Sequence, residues 1–179
     1  SLIQTILMRN SSLHICALIP TYNNANTILD VVRRTRKQLK DIIVVVDGCT
    51  DNTLDLLQEL EFPITIVSYS KNKGKGYALK QGFRKAIELG FEYALTIDSD
   101  GQHYPEDIPL LIDAIKKHPG SMIIGSRKLT SENVPGKNKF ANKFSNFWFR
   151  LQTHINLPDT QTGFRIYPLN KLYGLSILT

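Results

Sequence analysis

The chain has 179 residues, of which 42% are hydrophobic and 21% charged, as in an ordinary soluble globular domain. Its net charge of +6 favours an anionic partner (a nucleotide, a nucleic acid or an acidic membrane surface), and no run of about 20 apolar residues is present to span a membrane. The two cysteines, Cys16 and Cys49, lack metal-ligand spacing, so the sequence indicates neither a zinc site nor a disulfide framework and fits a reducing compartment.

Short β-branched runs alternate with longer segments of helical spacing. Strands are predicted at residues 14–20, 42–47, 64–69, 93–98 and 122–126, and helices at 26–39, 51–60, 75–89 and 106–118. Several strands are apolar at successive positions, which indicates burial on both faces. The order predicts an α/β fold with a mostly parallel, twisted sheet flanked by helices.

Polar residues follow four of the predicted strands. They are Thr21, Tyr22 and Asn23 after the first strand, Asp47 at the second, Asp98 and Asp100 at the fourth, and Ser126 and Arg127 at the fifth. In parallel α/β sheets, ligands bind at the carboxyl ends of the strands. We therefore expect these side chains to converge on one binding site.

The segment ALTIDSDGQHYPED (94–107) carries two acids one residue apart at the end of a buried strand. Carboxylates are the ligands that Mg²⁺ takes alongside substrate phosphates, and Asp98 and Asp100 can face one crevice. Gln102 can add an amide oxygen, whereas His103 is interpreted as a structural hydrogen-bonding residue. The alternative is a plain turn. The metal interpretation fails if the two side chains turn apart, or if they are engaged with lysines of the protein and unable to reach a common cation.

Two further segments precede predicted helices. In VVVDGCTDNT (44–53), Asp47 can accept hydrogen bonds from a base or cap the turn, and Thr50 or Asp51 is expected to cap the next helix. The segment SKNKGKGYAL (70–79) is basic and rich in glycine, so its amides and lysines, Lys75 among them, can meet phosphate or base. It does not match the phosphate-loop or dinucleotide fingerprints.

Six motifs in order resemble those of family 2 glycosyltransferases with the GT-A fold. They are IPTYNNANTI, VVVDGCTDNT, NKGKGYALKQGF, IDSDGQHYPEDI, GSR and DTQTGFR, spread over residues 14 to about 168. The branch they most resemble comprises dolichol-phosphate mannosyltransferases and bacterial polyprenyl-phosphate relatives. The resemblance implies a hexosyltransferase that uses a nucleotide-diphosphate sugar of the GDP-mannose or UDP-glucose type.

The resemblance also implies roles for individual residues. Pro20, Thr21, Tyr22 and Asp47 would line the base and ribose pocket, with Lys75 at the donor. Asp98 and Asp100, with Gln102, would hold Mg²⁺ or Mn²⁺ against the donor diphosphate, and Arg127 and Arg165 would face phosphates. Asp159, Gln161, Thr162 and Gly163 would shape the sugar and acceptor side.

The chain departs from its relatives at several points. Val46 stands where they often have a second acid or Asn, and Asn24 replaces a frequent Glu, so the base and ribose preference stays open. Relatives continue with another helix and strand after TGFRIYPLNKLYGL. We therefore expect residues 1–179 to form a single GT-A domain that is truncated at its carboxyl end.

The acceptor decides whether a catalytic base is needed. A hydroxyl must lose a proton, whereas a phosphate monoester oxygen is already anionic near neutral pH. The Glu-Asp pair of hydroxyl-transferring relatives is missing; Glu132 or Asp159 can serve as base, but neither matches that pattern. We expect a polyprenyl or dolichyl phosphate acceptor and inversion by a single in-line displacement.

The segment GKNKFANKFSNFWFRLQTHI (136–155) combines aromatic residues at helical spacing with four basic residues and no acid. The residues fit either a helix at a membrane surface or a core helix with solvated lysines. The resemblance favours the first, and with it a cytoplasmic enzyme peripheral to the membrane.

Two other functions compete with lipid-phosphate glycosylation. The same fold can transfer sugar to a saccharide hydroxyl, and the chain can be a non-catalytic module for nucleotide binding or membrane docking. A nucleic-acid partner is not expected, because the basic residues do not interleave with a known docking motif. The sequence does not indicate the sugar, the base or the oligomeric state.

Overall fold

The computed structural model describes residues 12–127, 147–152 and 163–172. Its strands are β1 (Ile15–Thr21), β2 (Ile42–Asp47), β3 (Thr65–Tyr69), β4 (Tyr93–Thr96), β5 (Met122–Arg127), β6 (Phe147–Gln152) and β7 (Arg165–Pro168). Its α-helices are α1 (Ile28–Arg36), α2 (Thr53–Gln58), α3 (Lys75–Glu88) and α4 (Ile108–Lys117). Short 3₁₀ turns lie at Pro105–Asp107 and Leu169–Leu172.

The strands form one seven-stranded sheet in the order β3-β2-β1-β4-β7-β5-β6. Strands β1 to β4 pair in parallel, and β7 lies antiparallel between β4 and β5. The prediction of a mostly parallel sheet flanked by helices is confirmed. The five predicted strands and four predicted helices all form, with ends that differ by a few residues.

One prediction is wrong over part of its length. Residues 147–152 form strand β6, antiparallel to β5, where the sequence suggested a helix over 136–155. Aromatic residues favour strands, and β5 exposes an edge of unpaired backbone groups that β6 satisfies. The rest of the predicted helix lies outside the described residues.

Helices cover both faces of the sheet and bury two apolar layers. On one face, α1 and α4 pack through Ile28, Val32, Leu111 and Ile115. On the other face, α3 packs through its own apolar stripe, and Gly82 lets this helix approach Leu18 so closely that a Cβ would overlap that side chain. None of the helices in the described ranges has the length and hydropathy needed to cross a membrane.

The order of the strands positions a crevice. From β1 the chain moves outward to β2 and β3 and then returns to place β4 on the opposite side of β1. The loops that follow β1 and β4 therefore diverge, which opens the sheet edge between their carboxyl ends. Thr21 ends β1 at this edge, and the acids of the DSD segment follow β4 there.

Candidate active site

A cleft of about 390 Å³ lies at the carboxyl ends of β1, β2 and β4. Its lining residues are Pro20, Thr21, Tyr22, Asn24, Asp47, Asn72, Gly74, Lys75, Ala78, Asp98, Ser99 and Asp100. Seven of the predicted site residues (Pro20, Thr21, Tyr22, Asp47, Lys75, Asp98 and Asp100) lie in this lining. The expected convergence of the first, second and fourth strand ends is therefore found.

The two acids of the DSD segment lie in different surroundings within the cleft. Asp98 is largely buried, and its Oδ1 lies 2.5 Å from the ammonium of Lys75. Its Oδ2 lies 3.3 Å from Nε2 of His103, as expected for a structural histidine. Asp100 is exposed, and its Oδ1 accepts a hydrogen bond from the Gln102 amide at 3.0 Å. One of the two carboxylates is thus engaged with a lysine of the protein.

The ionisation of Asp98 follows from these contacts. Burial alone would raise the pKa of this carboxyl, but hydrogen bonds and charge attraction from His103 and Lys75 outweigh it, so the pKa lies below its ordinary value. Asp98 is therefore a carboxylate at neutral pH. Its negative charge needs a cation, and Lys75 supplies one.

The turn that carries the acids is fastened to the start of α1. The amide nitrogen Nδ2 of Asn24 donates to Oγ of Ser99 at 2.7 Å, and Oγ1 of Thr27 donates to the Ser99 carbonyl at 2.6 Å. Gly101 has φ +80°, which a residue with a side chain rarely adopts. The Asn at position 24, noted in the sequence only as a departure, thus positions the acidic turn.

Asp47 fixes the loop that precedes α3. Its Oδ1 accepts from the Lys73 amide at 2.8 Å and its Oδ2 from the Gly74 amide at 2.9 Å. Asp47 therefore holds the loop before α3 instead of capping its own turn, and since it also lines the cleft, its hydrogen bond to a base stays a prediction. Gly48 has φ +61°, and a Cβ there would overlap the backbone of Lys71 and Asn72.

The loops after β1 and β2 are also joined. Asn23 has φ 51°, and its Oδ1 accepts a hydrogen bond from the Thr50 amide at 2.8 Å. Asp51 accepts from the Thr53 amide at 3.1 Å, at the first residue of α2, so the predicted capping role of Asp51 is confirmed. Next to this junction, Tyr22 is 46% exposed and lines the cleft.

The residues of the cleft fit a divalent cation bound together with phosphate. Asp98 and Asp100 are hard oxygen donors that line one cavity, which is the donor set that Mg²⁺ and Mn²⁺ take. Within the described ranges, no group of three or more His, Cys, Asp or Glu side chains is placed to hold a metal. A cation here would therefore take its remaining ligands from the ligand and water.

One of the residues that line the cleft has a buried hydroxyl without a hydrogen bond. Oγ1 of Thr21 is buried and has no hydrogen-bond partner among the described residues. The atom has no accessible surface in the cleft, so a ligand would reach it only after a local rearrangement.

Several predicted site residues lie elsewhere. Arg165 is only 3% exposed in β7, where it pairs in register with Thr96 and Ile124, and it does not line the cleft, so its contact with phosphate stays a prediction. The backbone amide of Gln102 donates to Asp100 in the acidic turn, but Gln102 does not line the cleft. The side chain of Arg127 and residues Asp159, Gln161 and Thr162 lie outside what the structure describes.

The structure adds Asn24, Asn72, Gly74, Ala78 and Ser99 to the cleft. The place of Gly74 in the lining is held by the hydrogen bond from its backbone amide to Asp47, which sequence spacing does not reveal. Gly163, expected on the sugar and acceptor side, lies against Asp98, where a Cβ would overlap the carboxylate.

Comparison with known proteins agrees with this geometry. The family model described as Glycosyl transferase family 2 matches residues 16–173. The UDP-N-acetylglucosamine–dolichyl-phosphate N-acetylglucosaminyltransferase of Methanococcus voltae is 34% identical, over 89% of this chain and 71% of its own length.

Two solved structures share the fold. S. aureus TarS 1–349 in complex with UDP-GlcNAc aligns with 90% of this chain and 47% of its own, at a TM-score of 0.61 and 20% identity. The glucosyl-3-phosphoglycerate synthase of Mycobacterium tuberculosis, in complex with Mn²⁺ and UDP-glucose, aligns with 68% of this chain and 46% of its own, at a TM-score of 0.51 and 21% identity. The chain spans about half the length of these structures. From the family match and the shared architecture, this chain belongs to glycosyltransferase family 2 and has the GT-A fold.

Proposed function

We propose that the chain is the donor-binding part of an enzyme that transfers a hexose from a nucleotide-diphosphate sugar to a polyprenyl or dolichyl phosphate. The observation that carries the proposal is the meeting of Asp98, Asp100 and Lys75 in one cleft that Tyr22 and Thr21 also line.

Different residues of the cleft would bind different parts of the donor. Asp98 and Asp100, with Gln102, would hold Mg²⁺ or Mn²⁺, which when bound supplies Lewis-acid stabilisation of the departing diphosphate. Tyr22 and Thr21 would line the pocket for the base and ribose. The M. tuberculosis structure of the same fold contains Mn²⁺ and UDP-glucose, which supports a divalent cation and a nucleotide sugar as the classes of ligand.

The transfer itself needs little acid–base chemistry from the chain. An oxygen of the acceptor phosphate forms a bond to the anomeric carbon while the bond from that carbon to the diphosphate oxygen breaks. The acceptor oxygen is already anionic, so no proton must be removed, and a single displacement inverts the anomeric centre. Arg165 and Arg127 would face phosphates, and Asp159 and Gln161 would shape the sugar and acceptor side.

The lipid acceptor and a peripheral position at the membrane are supported by the dolichyl-phosphate enzyme of M. voltae and by the net charge of +6. The names of the curated relatives differ in the sugar, since both N-acetylglucosamine and mannose occur among them, so the donors tested must include both UDP and GDP sugars.

A transfer assay tests the proposal. The protein is incubated with radiolabelled UDP-GlcNAc, UDP-glucose or GDP-mannose, Mn²⁺ or Mg²⁺, and a short-chain polyprenyl phosphate. Asp100→Asn should lower transfer at least 100-fold, since it removes a charged ligand without touching the core. Asp113→Asn, an exposed carboxylate on α4, is the matched control and should leave transfer unchanged.

The sugar acceptor that is used in the assay distinguishes the proposed function from its two alternatives. Product on the polyprenyl phosphate, and none on the corresponding alcohol, supports the proposal. Product on a saccharide instead would assign the hydroxyl-transferring alternative. Binding of nucleotide without transfer to any acceptor, unaltered in Asp100→Asn, would indicate a binding module.

A further inference from the structure

The contact between Lys75 and Asp98 joins two groups that a nucleotide-sugar site would use separately. The ammonium lies 2.5 Å from Oδ1, and the two side chains are 35% and 19% exposed. By contrast, the ion pair of Arg33 with Glu61 is an exposed surface contact, with side chains 49% and 59% exposed. The Lys75–Asp98 pair is thus a partly buried contact inside the cleft.

Lys75 is held in this position by backbone contacts. It is the first residue of α3, and the preceding Gly74 is fastened to Asp47 through its amide at 2.9 Å. The side chain therefore starts from a fixed point at the rim of the cleft. Its four-carbon stem leaves the ammonium free to swing between neighbouring anionic partners.

The position of Lys75 is electrostatically unfavourable without an anion. The amino end of a helix carries partial positive charge, and the first turn of α3 contains no acidic residue. Asp98 compensates both charges. If a divalent cation takes the Asp98 carboxylate, the ammonium is left beside the positive helix end and needs another anion.

A donor diphosphate supplies such an anion in the same cleft. Lys75, Asp98 and Asp100 all line it, so a bound cation would neutralise the two carboxylates and a diphosphate would place negative charge beside Lys75. A cation bound without the diphosphate would neutralise the carboxylates but leave the Lys75 ammonium without its partner Asp98.

We propose that Lys75 is an exchangeable counter-ion of Asp98, which competes with the divalent cation in the free protein and moves to the diphosphate when the donor binds. This inference rests on the proposed function and adds a binding order to it. Binding of the cation and the nucleotide is then coupled: each raises the affinity for the other, and much of that coupling passes through Lys75.

Binding of Mn²⁺, followed by electron paramagnetic resonance of the free ion, tests the coupling without measuring catalysis. In the wild-type protein, UDP should lower the Kd for Mn²⁺. Lys75→Met removes the competing charge, so Mn²⁺ alone should bind about three- to tenfold more tightly, as expected for the loss of a partly exposed ion pair. The enhancement by UDP should shrink by a similar factor.

Two variants serve as controls. Lys71→Met removes the same charge from an exposed position of the same loop, so it measures the general effect of net charge and should change the Kd for Mn²⁺ by less than twofold. Lys75→Arg keeps a cation beside Asp98 and should retain the weak binding of Mn²⁺ alone. Thermal unfolding of each variant confirms that it folds.

The outcomes distinguish this inference from the proposed function. If UDP enhances Mn²⁺ binding equally in the wild type and in Lys75→Met, the role of Lys75 is overturned while the metal and nucleotide site stands. The same conclusion follows if Lys75→Met weakens the binding of Mn²⁺ alone. If Mn²⁺ binds to neither protein, with or without UDP, the metal site of the proposed function is overturned, and this inference with it.

Discussion

The Asp47 carboxylate accepts a hydrogen bond from the Gly74 amide at 2.9 Å and so ties the end of β2 to the residue before α3. A second bond from the Lys73 amide, at 2.8 Å, uses its other oxygen. Asp47 is 3% exposed, so the carboxylate has exchanged water for these two amides. These two hydrogen bonds hold the loop that lines one side of the cleft in place without a ligand.

Asp47→Asn should therefore destabilise the protein. The Asn side chain keeps one acceptor oxygen, but its NH₂ group faces the second backbone amide of the loop, which is also a donor. The lost hydrogen bond costs about 2 kcal/mol of unfolding free energy. Urea unfolding measures the change. Asp55→Asn, an exposed carboxylate on α2, should stay within about 0.5 kcal/mol of the wild type. Equal stability of the two variants would show that the loop does not depend on Asp47.

Gly48→Ala tests the close approach of the same loop to β2. The new Cβ would overlap backbone atoms of Lys71 and Asn72, which cannot rotate away as a side chain can. We expect a loss of about 3 kcal/mol or more in urea unfolding. Gly90→Ala has a similar positive φ, +82°, but open space around the Cβ, so it should lose only about 1 kcal/mol. A larger loss for Gly90→Ala would contradict the packing argument.

Gly163→Ala should alter the site more than the fold. A Cβ there would overlap the Asp98 carboxylate, which Lys75 and His103 hold from its other sides. Displacement of Asp98 should weaken Mn²⁺ binding in the presence of UDP at least tenfold, at a cost in stability of about 1–3 kcal/mol. Gly76→Ala meets open space and serves as the control. Unchanged Mn²⁺ affinity in Gly163→Ala would exclude Asp98 as a ligand.

Cys16 should give the protein a pH-dependent stability. Burial raises the pKa of this thiol from 9.0 to about 12. The unfolded chain therefore loses the thiol proton from about pH 9, whereas the folded protein keeps it. The contribution of Cys16 to the free energy of unfolding is thus complete below pH 9 and is lost as the pH rises toward 12.

Comparison of the wild type with Cys16→Ala isolates this effect. The difference in unfolding free energy should be constant from pH 7 to 8.5 and then change by up to about 1.4 kcal/mol per pH unit, to the disadvantage of the wild type. Native Cys16 should also resist thiol reagents at pH 8, because it is fully buried. A parallel pH dependence in both proteins, or rapid labelling of Cys16, would contradict the raised pKa.

The wrong prediction over residues 147–152 shows where periodicity is ambiguous. The aromatic residues of this segment satisfy a helical spacing, yet Phe147, Phe149 and Leu151 also alternate as a strand requires. The exposed edge of β5 decides between the two, and that edge exists only after the sheet has formed. Strand β7 was missed for a similar reason, since its four residues carry too short a pattern to stand out.

The sequence by itself determined the alternating strands and helices, the place of Asp98 and Asp100 at a strand end, and the family. These features are local, because hydrophobic period and turn residues report the backbone conformation of the segment that contains them. The tertiary structure alone decided that Lys75 neutralises Asp98, that Asp47 holds the loop before α3, and that Arg165 is buried in β7 opposite Thr96. Those contacts join residues far apart in the chain, and which of them meet is set by the order of strands in the sheet rather than by any pattern along it.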